Sequence, residues 1–199
     1  MWAWMLIACA PGVLRTREGS EPLRSAWYAE VTGEAGASSL YVLAANSDLL
    51  CELPDSDDPA VVDEALVRQS AGFYREGAKV LYGVFTDATG EGWPGTYEIA
   101  DATSAGERPD REVALTWWSV VEAEVQAQDG VVVSYSPGDS PGDYSFVPRA
   151  PPPGEFTLTE DEHGLAVEFE VSSLDLSGRF EASSCDPDSA LFASLGYSF

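Results

Sequence analysis

Arg111-Glu-Val-Ala-Leu-Thr-Trp-Trp-Ser-Val-Val-Glu-Ala-Glu-Val-Gln-Ala-Gln128 carries the clearest alternation in the chain. Val113, Leu115, Trp117, Val121, Ala123, Val125 and Ala127 fall on one parity, with Ser119 as its polar member. Thr116, Glu122, Glu124, Gln126 and Gln128 fall on the other, where Trp118 and Val120 are the exceptions. A period of two over this length predicts one long, half-buried strand with a wet face. Asp129-Gly130 is a hairpin turn signal, and Val131–Tyr135 reads as the returning strand.

The same texture continues on both sides. Ser39–Asn46 (SLYVLAAN) reads as a strand, continuing after a turn at Asn46-Ser47 through Asp48–Leu53 toward Cys51. Ala78–Thr86 and Thr96–Ala100 are β-rich. Leu165, Val167, Phe169 and Val171 alternate with Ala166, Glu168 and Glu170. In 176–185, Phe180 and Ala182 face one way, Arg179 and Glu181 the other. One segment breaks the pattern. Asp58 can cap a helix, Pro59 suits its first position, and Val62, Ala65, Leu66, Gln69 and Phe73 recur at helical spacing. This predicts a helix over 59–76, with Gly77 as terminator. Residues 136–154 are rich in Pro and Gly and read as a covering loop. The expectation is a mainly β, antiparallel β-sandwich or jelly-roll-like domain with one α-helix.

The chain has 199 residues and a formal net charge of −24, from 34 acidic and 10 basic side chains. Phosphate neutralisation needs a basic patch, so this balance excludes an unassisted nucleic-acid binder and disfavours adsorption to anionic lipid. Hydrophobic residues make up 45% of the chain, enough for a folded core.

The N-terminus opens with a seven-residue apolar run, Trp2–Ala8, too short to span a bilayer. Its end, Leu6-Ile7-Ala8-Cys9, resembles the lipobox of bacterial lipoproteins. The resemblance implies that Cys9 carries the lipid and that 1–8 is a signal-peptide remnant. Residues 9–25 then read as anchor and flexible tether, and 26–199 as a single β-rich domain. Three cysteines are present, so a lipidated Cys9 leaves Cys51 and Cys185 either as one disulfide or as two buried thiols. Gly178–Cys185 (GRFEASSC) is similar to the closing strand of small secreted β-domains of lipoproteins, which implies the bridge.

Such a bridge would bring Glu52, Asp55, Asp57 and Asp58 toward Asp186 and Asp188. Converging carboxylates suit a hard cation, so Ca²⁺ is a candidate cofactor, although neither run has the EF-hand pattern. Trp118, beside Glu122 and Glu124, is a candidate sugar-stacking residue. Gly138-Asp139-Ser140 resembles one esterase block, but the matching Asp-x-x-His is missing around His163, the sole histidine. No catalytic residue is assigned. The expected role is an exported, lipid-anchored, acidic cell-envelope protein, at the outer membrane or cell surface, with non-catalytic binding or structural work. Its membrane contact would be through the anchor alone, and its partner a glycan or envelope protein. The alternative is a secreted carbohydrate-binding module or glycan-active enzyme.

Overall fold

The computed structural model describes residues 11–32, 38–74, 76–99, 109–121, 124–127, 131–133, 146–148, 154–162 and 164–194. In chain order the elements begin with β1 (Gly12–Thr16), β2 (Gly19–Leu23), β3 (Ser25–Thr32) and β4 (Ser38–Ala45). Next come α1 (Pro59–Tyr74), β5 (Lys79–Asp87), β6 (Gly95–Ile99), β7 (Arg111–Val121), β8 (Glu124–Ala127) and β9 (Val131–Val133). The last are β10 (Phe146–Pro148), β11 (Glu155–Asp161), β12 (Gly164–Val171), β13 (Leu176–Ser184) and the short α2 (Ala190–Ser194).

β3, β4, β5, β7, β6, β11, β12 and β13 are hydrogen-bonded in that order, and β13 returns to β3. The sheet therefore closes into a barrel, which corrects the sandwich or jelly-roll expectation. A sandwich and a barrel share the same in–out alternation along each strand. They differ in whether the first and last strands pair, which period-two patterning cannot register. Two of the contacts, β6–β7 and β13–β3, are parallel.

β4 shows why the molecule has two cores. Its apolar run is buried on both faces, Leu40, Val42 and Ala44 inward, Tyr41, Leu43 and Ala45 outward. The outer set packs with Leu49, Phe73, Leu191 and Phe192, from the segment after β4 and from the two helices. Gln69 of α1 fastens that segment by accepting from the Leu50 amide at 2.8 Å and donating to the Leu50 carbonyl at 2.9 Å. Asp48–Leu53 is thus held as irregular chain, where the sequence suggested a strand. Asp58 Oδ1 accepts from the Ala60 amide at 3.0 Å at the helix start. The helix ends at Tyr74, two residues short of the sequence reading.

The barrel interior is filled by rings. Tyr97 meets Phe85 edge-on (centroids 5.1 Å), Phe85 meets Phe156 (5.6 Å), and Phe156 stacks on Phe169 (5.0 Å). Phe180 continues the series at 6.3 Å from Phe169. An eight-stranded barrel is just wide enough for side chains or one small ligand, and here side chains take the space. The wall is polar on β11–β13 and the inside apolar, the reverse of a membrane-spanning barrel. No helix among the described residues is long and apolar enough to cross a membrane.

Two segments differ from their sequence readings. Residues expected to be a flexible tether form the β1–β2 hairpin, and its Leu14 and Leu23 are buried in the barrel core. β13 offers one edge to two strands, β3 at Ser183–Ser184 and β1 at Ser177–Phe180, so the hairpin fills the gap that β3 leaves. The alternating run 111–128 is not one strand. β8 turns back on β7, with Val121 opposite Glu124 and Trp118 opposite Ala127. Odd pairs with even between the two strands, so Val120 comes opposite Val125 and the two apparent exceptions of the alternation pair with apolar residues. The expected returning strand, β9, pairs with β10 in a separate two-stranded sheet.

Candidate functional site

Outward positions on β11, β12, β13 and β1 form two rows across the wall. One runs Thr157, Glu168, Arg179, Val13. The other runs Glu155, Glu170, Ser177, Arg15. These residues, with Phe169 and Gly178, line a groove of about 380 Å³. Strand alternation places them there: Glu168 and Glu170 are exposed between buried Val167, Phe169 and Val171. Gly178 is a close-approach glycine, since a Cβ would stand 2.7 Å from Phe169 Cε1 and 2.8 Å from the Val13 carbonyl oxygen.

The groove is electrostatically two-sided. Arg15 and Arg179 are diagonal neighbours on paired strands, at a spacing of about 7–8 Å, while Glu155, Glu168 and Glu170 occupy the β11–β12 side. Glu168 is directly opposite Arg179 in register. Among the described residues, neither Arg15 nor Arg179 makes an ion pair or side-chain hydrogen bond. The guanidinium is a planar fork suited to carboxylate or phosphate.

Two other charged clusters are structural. Lys79, the sole lysine, is 11% exposed and binds Glu18 Oε2 at 3.2 Å and Glu21 Oε1. Asn46 joins them by donating to Glu21 Oε2 at 3.0 Å, and the cluster fastens the hairpin to β5. Burial alone would lower the Lys79 pKa, but its bonds to Glu21 and Glu18 outweigh this and hold it above the ordinary value. At the opposite end of β5, Arg111 Nε lies 3.4 Å from Asp87 Oδ1, and its Nη atoms donate to the Pro94 (2.6 Å) and Gly92 (3.1 Å) carbonyls. Gly95, at φ +151°, is required here because a Cβ would run into the guanidinium. For Asp87, burial pushes the pKa up. Hydrogen bonds from the Thr89 hydroxyl and amide, the Arg111 charge and the Gly92 amide outweigh it, leaving the carboxyl below its ordinary value. Burial raises the Tyr97 hydroxyl to about 12, and it donates to the Trp93 carbonyl at 2.8 Å.

Cys51 and Cys185 form a disulfide with a Cα–Cα distance of 5.7 Å. The acidic runs of the calcium reading flank this bridge in the chain. Among the described residues no group of three or more His, Cys, Asp or Glu side chains is placed to hold a metal. Asp58 caps α1, and Asp186 Oδ1 accepts from the Asp188 amide at 2.8 Å, while Glu52, Asp55 and Asp57 join no such group. The six carboxylates of the calcium reading, Glu52, Asp55, Asp57, Asp58, Asp186 and Asp188, all lie among the described residues, where no such group is formed. Cys9, Glu122, Ser140 and His163 lie outside the described residues. Trp118 is placed by its backbone opposite Ala127, and the stacking role of its ring falls outside the described side chains.

The alternation of its strand places Arg179 outward, but the groove is not legible in the sequence, because Arg15 lies in a segment that reads as a tether. A usable signal was present: Glu168 and Glu170 alternate on one strand, and Arg179 stands outward on the next. Comparison with family models, with curated proteins and with solved structures finds no match to this chain.

Proposed function

We propose that this chain is an exported, lipid-anchored domain of the bacterial cell envelope with a non-catalytic binding or structural role. The observation that carries the reading is the Cys51–Cys185 bridge. Disulfides persist in oxidising compartments outside the cytosol. With that pair taken, Cys9 is the cysteine left over, and it is the one in a lipobox-like context. The filled barrel adds to this, because ring packing through the interior leaves the wall as the place for recognition.

The position of the hairpin gives the reading a geometric consequence. β1 starts at Gly12, so the chain between an anchor on Cys9 and the domain can span at most about 10 Å. The barrel is then held at the bilayer surface and not displayed on a long stalk. Fractionation in a bacterial host tests this. The wild-type chain should pellet with membranes and resist salt extraction, and Cys9→Ser should move to the soluble periplasmic or secreted fraction. Equal soluble distribution of both in the cytoplasm would overturn the proposal.

A further inference from the structure

The geometry points to the groove between β11–β12 and β13–β1 as a binding site for a compact zwitterion, a primary ammonium joined to a phosphate. This deepens the binding role proposed above and does not depend on the lipid anchor.

Three features converge on that chemistry. First, the groove has room, about 380 Å³, for a small polar molecule. Second, among the described residues neither of its two arginines is paired, although Glu168 stands directly opposite Arg179. In a chain with 34 acidic and 10 basic side chains, two adjacent unengaged guanidiniums leave a bidentate anion position open. Third, the facing side carries Glu155, Glu168 and Glu170. A bare anion seated on the arginines would lie beside these carboxylates, and a bare cation on the glutamates would lie beside the guanidiniums. Adjacent strands are about 4.8 Å apart. A ligand whose opposite charges are separated by about 4–5 Å meets β13 with its anion and β12 with its ammonium. Ser177, half-buried between Glu170 and Arg15 in the second row, adds a hydroxyl that can donate to the anion.

The test is an NMR titration of the full-length chain with O-phosphoethanolamine, following the amides of Ser177, Gly178 and Arg179. Inorganic phosphate and ethanolamine are titrated separately at the same ionic strength. Saturable shifts are expected at these amides, with O-phosphoethanolamine at least about tenfold tighter than either fragment. Arg179→Ala should weaken binding at least about tenfold, and Glu168→Gln should reduce the preference over inorganic phosphate. Both positions are exposed, and unchanged near-ultraviolet dichroism shows that the variants remain folded. Vesicles of phosphatidylethanolamine that reproduce the shifts assign a lipid headgroup as the source. Shifts with the free compound alone assign a soluble zwitterion. No saturable shift at these amides, or equal affinity for inorganic phosphate, overturns the site. Neither result touches the anchoring proposal, which fractionation of Cys9→Ser decides.

Discussion

Lys79 opens the apolar strand β5 with a buried cation, and that position is affordable only because Glu18 and Glu21 come to it from the hairpin. Its pKa is raised in the fold, so the stability it contributes is full below the ordinary value of 10.5 and fades as pH rises through the folded value. Thermal melts are expected to show a loss of stability above about pH 10.5 in the wild type. Lys79→Met should blunt the part of that loss due to Lys79, at a cost near neutral pH of about 1–2 kcal/mol. Asp87 works in the opposite direction. Its lowered pKa contributes stability above the ordinary 3.8 that is lost as pH falls through the folded value. Asp87→Asn should therefore melt lower at pH 7 and lose less on acidification; parallel acid limbs in wild type and variant would contradict this. Neither pair was legible in the sequence. Lys79 lies 58 residues from Glu21, and charges so far apart carry no mutual spacing signal.

At the scale of elements, legibility followed the number of inward residues per strand. β12 has four, Leu165, Val167, Phe169 and Val171, and its alternation is plain. β11 offers only Phe156 and Leu158 after a Pro-rich run, and β1 and β2 bury one leucine each. A period cannot be read from one residue, so the hairpin looked like a tether. β7 and β8 differ for another reason: they pair antiparallel inside an unbroken alternation, and no Gly or Pro lies between them in the sequence. The hairpin also depends on Gly178, where a side chain would press on the Val13 backbone of β1. Gly178→Ala should cost about 1–3 kcal/mol. Hydrogen exchange should localise the loosening to β1 and β2, and uniform loosening of the barrel would argue against a separate hairpin unit.

On the whole molecule, the charge of −24 has a pattern that composition could not show. Glu112, Glu98, Glu155 and Glu170 stand opposite one another across four adjacent strands. Like charges directly opposite are destabilising by a few tenths to about 1 kcal/mol per pair, and salt screens them. The melting temperature should rise from low salt to about 0.5 M sodium chloride, and Glu155→Gln should raise it at low salt and flatten the dependence. A melting temperature independent of salt would show that the row is already neutralised. The mainly β class, the helix and the bridged cysteines were all within reach of the sequence. Closure was not, because it rests on the β13–β3 contact at Ser183 and Ser184.

As proposed, the disulfide-stapled barrel is tied by Cys9 to a membrane. Intact-mass spectrometry of the protein purified from bacterial membranes, before and after reduction, tests it most directly. The expected species starts at Cys9, carries a diacylglyceryl group there, and gains two hydrogens when the Cys51–Cys185 bridge is reduced. A chain that retains Met1, carries no lipid and shows three free thiols would contradict it.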